Sequence, residues 1–244
     1  MPTLKPFFIL FILAGAFIQC TDTESEPRVN TAIIPLEREG WAYDRFLALN
    51  DTVQKYTGNI DLLFIGESLT SYWEREGLQI WEEYYGERVA VNIGVGGDRT
   101  ENVLWRLQNG NVDGLHPKVT VLKIGTNNTG SNWHEPGEIL EGIYAVIELI
   151  FQKMPDTQLI VMGILPRSST FSYRRAKIAQ VNQVLVNLQK RENIHHIDIG
   201  HKYLLDDGSI PQDLMYDFLH LTEEGYRIWA EALEPLIDEL LGEN

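Results

Sequence analysis

Short apolar runs alternate along most of this chain with longer segments that have helical spacing. The apolar runs lack the polar alternation of a half-exposed strand, as is typical of strands that are covered on both faces. They are Ile60–Ile65, Arg88–Ile93, Val119–Ile124, Leu159–Gly163 and Ile194–Ile199. The pattern therefore predicts five buried strands.

The segments before and between these runs repeat apolar residues every three or four positions, which predicts amphipathic helices. The first, over Trp41–Tyr56, places Phe46, Leu49 and Val53 on one face. The others cover Ser71–Tyr85, Thr100–Gln108, Pro136–Lys153, Ser172–Lys190 and Thr222–Leu241. Strands and helices that alternate in this way predict one α/β domain over residues 41–244, with helices on both faces of a five-stranded parallel sheet.

The start of the chain has a different pattern. Met1–Lys5 is short and basic, and Pro6–Ile18 is almost wholly apolar. This apolar run is shorter than the roughly 20 residues needed to cross a bilayer, but it has the length of a signal-peptide core. It resembles a bacterial lipoprotein signal, which implies that residues 1–19 are removed and that Cys20 carries a lipid. A secretory signal that is cut near Ala14–Ala16 is the alternative.

Residues 20–40 join this leader to the domain. Thr21–Pro27 is polar and acidic and predicts a solvated tether. Val29–Gly40 predicts an irregular lead-in. We therefore expect an exported protein that touches a membrane only through a lipid on Cys20, at the periplasmic or cell surface, or else a freely secreted protein.

Composition limits the partners of the chain. It has 244 residues and a formal net charge of −15, and a strongly acidic protein does not attract nucleic acid or an anionic membrane surface. Its single cysteine excludes an intramolecular disulfide, and its Cys and His residues do not have the spacing of metal ligands. Asp206–Ser209 lacks the alternating ligands of a calcium loop, which favours a turn. We expect no metal and no cofactor, and the oligomeric state is open.

Four polar segments lie where an acyl-transfer site needs them. Three directly follow predicted strands, and parallel sheets bind ligands beyond the carboxyl ends of their strands. The segments are Gly66–Thr70, Asn92–Asp98, Gly125–Asn128 and Asp217–His220. Each alone fits a helix cap, a turn or, for Asp217 and His220, a surface pair. Together and in this order, they supply a nucleophile, donors for a developing oxyanion and an acid–base pair.

Individual residues of these segments suit that chemistry. Ser68 follows the first strand at the start of a helical segment, where a hydroxyl is displayed near unpaired amides. Asn127 can donate from its side chain to an oxyanion, although consecutive asparagines also form turns. Asp217 precedes His220 by three residues, so one turn can bring the carboxylate to the near ring nitrogen while the far nitrogen faces Ser68.

Three further features leave alternatives open. Gly94, Gly96 and Gly97 lack the last glycine of a dinucleotide fingerprint, so they either form a tight turn or hold a backbone amide open to a ligand. Lys123 lies inside an apolar strand and either pairs with a carboxylate or touches substrate. The remaining histidines have no partner arrangement, which favours surface or capping roles; they are His116, His134, His195, His196 and His201.

The four segments resemble the four blocks of the SGNH hydrolase (GDSL esterase/lipase) family. Asn92–Leu107, Gly125–Asn128 and Met215–His220 are most similar to its platelet-activating-factor acetylhydrolase catalytic-subunit branch. The resemblance runs from Ile60 to the C-terminus and implies a flavodoxin-like three-layer αβα fold without a metal or organic cofactor. The chain departs from the family in its first block, which has Glu67 where Asp is usual.

Carried over residue by residue, the resemblance implies five site residues. Ser68 is the nucleophile, His220 the general base and acid, and Asp217 the carboxylate that orients the histidine. The oxyanion donors are the backbone N–H groups of Ser68 and Gly97 and the side-chain amide of Asn127.

These parts predict a serine esterase that removes short acyl groups, above all acetyl, through a Ser-His-Asp triad and an acyl-enzyme. Because an exported enzyme would meet acetylated glycans, we expect a glycan or small-molecule ester as substrate. Phospholipid, lysophospholipid or thioester hydrolysis by the same chemistry is one alternative. A non-catalytic glycan-binding lipoprotein is another.

Overall fold

A computed structural model describes residues 28–130 and 134–243 of the chain. The predicted leader over residues 1–19, the lipidation site Cys20 and the tether that follows it lie outside the described residues.

A five-stranded parallel sheet forms the centre of the fold, and the predicted fold class is confirmed. The strands are β1 (Gly58–Gly66), β2 (Ala90–Asn92), β3 (Leu115–Lys123), β4 (Gln158–Met162) and β5 (Ile194–Ile197). Their order across the sheet is β2-β1-β3-β4-β5, and all neighbours run parallel. The register pairs Gly66 of β1 with Lys123 of β3, so the carboxyl ends of the two strands lie side by side.

Helices cover both faces of the sheet. They are α1 (Trp41–Lys55), α2 (Ser68–Ser71), α3 (Leu78–Tyr85), α4 (Thr100–Gln108), α5 (Pro136–Lys153), α6 (Tyr173–Leu185) and α7 (Glu223–Leu241). Successive residues of β1 enter opposite apolar clusters, with Leu63 and Ile65 in one and Leu62 and Phe64 in the other. A strand buried on both faces has no polar side to show, which explains the continuous apolar pattern.

The predicted helix over Ser71–Tyr85 is interrupted in the structure. A short 3₁₀ turn, Tyr72–Glu74, follows α2, and α3 begins only after Gly77. A Cβ added at Gly77 would lie 2.8 Å from ring carbons of Trp73 and Tyr226. The chain therefore packs too closely here for any larger residue, and this close packing separates the two helical pieces.

The lead-in before α1 packs onto the domain. The side chain of Asn30 caps a 3₁₀ turn over Thr31–Ile33, and Ala32 in this turn is fully buried. Arg38 reaches the loop after β2, where it pairs with Asp98. Among the described residues, no helix has the length and apolar character that a membrane crossing requires.

Candidate active site

Ser68 stands at the point where β1 turns into α2. The turn is tight, because a Cβ added at Gly66 would lie 2.4 Å from the carbonyl oxygen of Lys123. Glu67 caps α2, and its Oε2 accepts hydrogen bonds from the Leu69 N–H at 3.1 Å and from Ser68 Oγ at 3.0 Å. The serine hydroxyl is thereby fixed at the edge of the sheet, although the residue is only 6% exposed.

The segment Asp217–His220 places its histidine against this serine. His220 Nε2 lies 3.0 Å from Ser68 Oγ, and His220 Nδ1 lies 2.7 Å from Asp217 Oδ2. The other carboxylate oxygen of Asp217 accepts the backbone N–H groups of Leu219 and His220. Phe218, which follows Asp217 in this turn, adopts a left-handed φ of 62°. The structure thus brings together the three residues that the sequence predicted as nucleophile, base and carboxylate.

Hydrogen bonding keeps Asp217 ionised. Burial alone would raise the pKa of its carboxyl, but the bonds from the backbone and the ring of His220 outweigh burial, and the pKa is lowered from its ordinary value. The carboxylate therefore stays charged and holds the histidine by one ring nitrogen, which leaves the other for the serine.

Two tyrosines flank the histidine ring. The ring of Tyr72 lies 5.0 Å from that of His220, and the ring of Tyr216 is stacked at 6.0 Å. Tyr216 is 41% exposed, so one face of the site presents aromatic surface to solvent. These contacts limit rotation of the imidazole away from Ser68.

Gly97 and Asn127 lie in the loops that follow β2 and β3, and a Cβ added at the neighbouring Gly96 would lie 3.7 Å from Ser68 Cβ. Gly97 has a φ of 78°, which favours glycine, and its N–H makes no hydrogen bond within the described residues. Asn127 donates one side-chain N–H to the backbone oxygen of Asp98 at 2.9 Å. Its second N–H is left for another acceptor, since an amide carries two. Both groups are the type of donor that stabilises an oxyanion.

Asp98 holds the loop that carries Gly97. Its buried carboxylate pairs with Arg38 at 2.9 Å and with Arg106 of α4 at 2.7 Å. Burial outweighs both arginines and raises the pKa of Asp98. Arg106 also donates to the carbonyl oxygen of Ile93, so one guanidinium ties α4 to the end of β2.

Asn128 makes a different set of hydrogen bonds from Asn127. It is fully buried, accepts the backbone N–H of Thr100 at the start of α4, and donates to Glu101. It also contacts His134 Nδ1 at 3.2 Å. His134 is only 1% exposed, so the expected surface or capping role is wrong for this histidine, which lies inside a buried polar network.

Lys123 pairs with a carboxylate, which was the first of its two predicted roles. Its Nζ lies 2.6 Å from Glu67 Oε1, and both side chains are buried. Burial raises the pKa of Glu67, but the charge and hydrogen bond of Lys123 outweigh it, and the pKa is lowered. Glu67 is therefore ionised, and its carboxylate accepts a hydrogen bond from the hydroxyl of the adjacent Ser68.

A cavity of about 250 Å³ opens beside Gly97 and Asn127. The rest of its lining comes from Gly130 and from three arginines, Arg99, Arg167 and Arg174. The cavity has a polar, cationic wall next to Gly97 and Asn127.

The predicted turn at Asp206–Ser209 is present, since Asp207 Oδ1 accepts both the N–H and the hydroxyl of Ser209. Within residues 28–130 and 134–243, no group of His, Cys, Asp or Glu side chains has the arrangement of a metal site.

Sequence reasoning missed several residues around the site. Arg106 gave a weak signal as a charge within the apolar pattern of α4. Arg38, Arg167 and Arg174 gave none, because each lies outside the four polar segments and reaches the site only through the fold.

Comparison with known proteins adds independent findings. Residues 64–228 match the GDSL-like Lipase/Acylhydrolase family. The chain is 41% identical over 187 residues to the platelet-activating factor acetylhydrolase IB subunit alpha2 of Rattus norvegicus, covering 75% of this chain and 79% of that protein.

Solved structures share the fold. A GDSL-like lipase from Bacteroides thetaiotaomicron has a TM-score of 0.63 at 20% identity and covers 82% of this chain and 99% of its own. Est24, a carbohydrate acetylesterase from Sinorhizobium meliloti, has a TM-score of 0.58 at 17% identity and covers 74% of this chain and 99% of its own.

The predicted localisation is wrong on this comparison. The leader and Cys20 predicted an exported protein with a lipid anchor, whereas the curated relatives at about 40% identity are intracellular acetylhydrolase subunits. The leader is a short local pattern, whereas the likeness to these relatives extends over 187 residues of the chain.

Proposed function

Because the chain belongs to the GDSL-like Lipase/Acylhydrolase family, and is therefore an ester-hydrolysing enzyme, we propose that it removes acetyl and other short acyl groups from polar alcohols, including carbohydrates, through a Ser68–His220–Asp217 triad. The contact that carries this proposal is the 3.0 Å distance between Ser68 Oγ and His220 Nε2, with His220 Nδ1 held by Asp217.

Acylation begins at the serine. The Ser68 hydroxyl has one proton, which rotates from Glu67 Oε2 to His220 Nε2, both 3.0 Å away. Ser68 Oγ then attacks the ester carbonyl carbon, and this proton passes to His220 Nε2. The negative charge that develops on the carbonyl oxygen is met by the N–H groups of Ser68 and Gly97 and by the side chain of Asn127. When the tetrahedral intermediate collapses, the C–O bond to the alcohol breaks and the leaving oxygen takes the proton from His220. An acyl-serine remains.

Deacylation uses the same groups in reverse. A water molecule gives a proton to His220 Nε2 as its oxygen attacks the acyl carbon, and the same donors hold the new oxyanion. The bond to Ser68 Oγ then breaks, the serine recovers its proton, and the carboxylic acid leaves.

The surroundings of the triad favour a polar alcohol portion. The cavity beside Gly97 and Asn127 is lined by arginines, and Tyr216, which is 41% exposed, presents aromatic surface beside His220. This support does not depend on where in the cell the enzyme acts. The relatives named acetylhydrolases and the carbohydrate acetylesterase of like fold suggest acetyl as the acyl group.

A phospholipid ester is the second candidate substrate. It is favoured by the name of the curated relatives, which are subunits of platelet-activating factor acetylhydrolase. The reaction at the carbonyl would be the same, and only the alcohol portion would differ.

The test measures kcat/KM of purified protein on p-nitrophenyl esters of increasing acyl length, on acetylated sugars and on an acetylated glycerophospholipid. We expect the acetyl ester to be the fastest of the p-nitrophenyl series. Ser68→Ala should abolish turnover of every ester. Turnover that persists in Ser68→Ala would show that another group is the nucleophile, and preference for a long acyl chain would exclude a short-chain enzyme.

A further inference from the structure

Positive charge is concentrated beside the oxyanion donors of a strongly acidic protein. The chain has a net charge of −15, yet the cavity next to Gly97 and Asn127 is lined by Arg99, Arg167 and Arg174 and by no acidic residue of the described chain. Guanidinium groups match the geometry of carboxylate and phosphate, which they bind with paired hydrogen bonds.

Two of the three arginines have no acidic partner within the described residues. Arg99 is neutralised by Glu101, whose Oε1 lies 2.5 Å from its Nε. Arg167 donates only to neutral oxygens, the carbonyl and hydroxyl of Thr126, at 3.2 and 3.3 Å. Arg174 is half-buried and forms no ion pair with any described carboxylate. This arrangement leaves the charges of Arg167 and Arg174 directed at the cavity.

Arg167 and Arg174 also repel each other. Burial lowers the pKa of Arg167, and the positive charge of Arg174 lowers it further. The carboxylates of Glu67 and Asp217 act on the pKa of Arg167 in the opposite direction. A bound anion between the two arginines would relieve the repulsion, because it is attracted to both.

We propose that Arg167 and Arg174 bind an anionic group, a carboxylate or a phosphate, on the alcohol portion of the ester substrate. An acetyl group is uncharged and too small to fill about 250 Å³, so the occupant of the cavity belongs to the alcohol. This inference rests on the proposed function, since it describes the substrate of the same Ser68 site. Binding of the anion by these arginines gives an acetylated sugar acid or an acetylated phosphate monoester a higher kcat/KM than a neutral acetylated sugar.

The test compares three acetyl esters that differ in charge. Methyl para-acetoxybenzoate is neutral, para-acetoxybenzoate carries a carboxylate, and para-acetoxyphenyl phosphate carries a phosphate. The measured quantity is the selectivity, which is kcat/KM for an anionic ester divided by kcat/KM for the neutral ester. Changes that affect all esters equally cancel in this ratio.

We expect the wild type to favour at least one anionic ester over the neutral ester. The ester with the higher selectivity identifies the preferred anion as carboxylate or phosphate. Arg174→Gln should lower the selectivity about tenfold, mainly through KM, as expected for the loss of one charge-assisted hydrogen bond. Arg167→Gln should lower it similarly, and Arg167→Lys should restore part of it because the charge is kept. The control is Arg191→Gln, which removes a half-exposed arginine paired with Glu148 and should leave the selectivity unchanged.

Two results would overturn the inference. One is that wild type and Arg174→Gln have the same selectivity. The other is that Arg191→Gln loses as much selectivity as Arg174→Gln, which would reveal an effect of net charge alone. Failure of the proposed function has a different signature. In that case Ser68→Ala would hydrolyse the neutral ester as fast as wild type does, or wild type would hydrolyse none of the three.

Discussion

Lys123 Nζ lies 2.6 Å from Glu67 Oε1 in a fully buried ion pair immediately behind Ser68. The other oxygen of the Glu67 carboxylate accepts from the Ser68 hydroxyl and the Leu69 N–H. A single carboxylate thus joins the end of β3 to the start of α2. Buried charges are costly unless they are paired and hydrogen-bonded, and here the pairing also sets the position of the serine.

We predict that Lys123→Met is strongly destabilising because it leaves the Glu67 carboxylate buried without a counter-charge. The expected loss in the free energy of unfolding is about 3–5 kcal/mol. The double variant Glu67→Gln with Lys123→Met removes both charges and should recover most of this loss. Urea unfolding of the three proteins measures the difference.

The matched control is Lys118→Met on the same strand. Lys118 pairs with Asp61 at 2.8 Å, but its side chain is 58% exposed, so its removal should have little effect on stability. If Lys123→Met and Lys118→Met proved equally mild, the buried pair would have no role in stability.

The Glu67 pair should also make stability depend on pH. The pKa of Glu67 in the folded protein lies below its ordinary value of 4.5, so the unfolded state takes up a proton first as the pH falls. The contribution of the ionised Glu67 to the free energy of unfolding is fully present above about pH 4.5. It is lost as the pH falls through the pKa of Glu67 in the folded protein. Unfolding measured from about pH 6 to about pH 3 should show this loss in wild type. The loss should be smaller in the double variant, and parallel curves would contradict the assignment.

The triad geometry predicts a ranked series of kinetic losses. Ser68→Ala and His220→Ala should each lower kcat by on the order of 10⁴–10⁶, since the groups act as a unit. Asp217→Ala should cost less, because the Asp217 side chain is 45% exposed and water can take part of its place. Release of p-nitrophenol from p-nitrophenyl acetate gives the rates. Near-UV circular dichroism should be unchanged in all three variants, and near wild-type turnover by His220→Ala would refute the role of the histidine.

The two adjacent asparagines should separate catalysis from stability. Asn127→Ala removes a donor that meets charge only in the transition state, so kcat should fall by on the order of 10²–10³ with little change in KM. Asn128→Ala instead leaves the buried Thr100 N–H without its acceptor, and it should lower the free energy of unfolding by about 1–3 kcal/mol. Steady-state kinetics and urea unfolding are needed for both variants. Equal kinetic effects would mean that the loop acts as one unit.

Much of the fold could be predicted because its signals are local. The bounds of α4 and α5 agree with the predicted Thr100–Gln108 and Pro136–Lys153, since an apolar stripe and good end signals lie within each segment. The break before α3 could not be predicted, because the packing of Gly77 against Tyr226 of α7 depends on residues far apart in the chain.

The sequence by itself determined the alternation of strands and helices, and it determined that Ser68 and Asn127 follow strand ends. These properties depend on periodicity and on short segments, which are visible in one dimension. Only the tertiary structure decided that Lys123 meets Glu67 and that Arg167 and Arg174 reach the cavity beside Asn127. Such contacts depend on strand register and loop packing between residues tens of positions apart, and no local pattern encodes which charges will become neighbours.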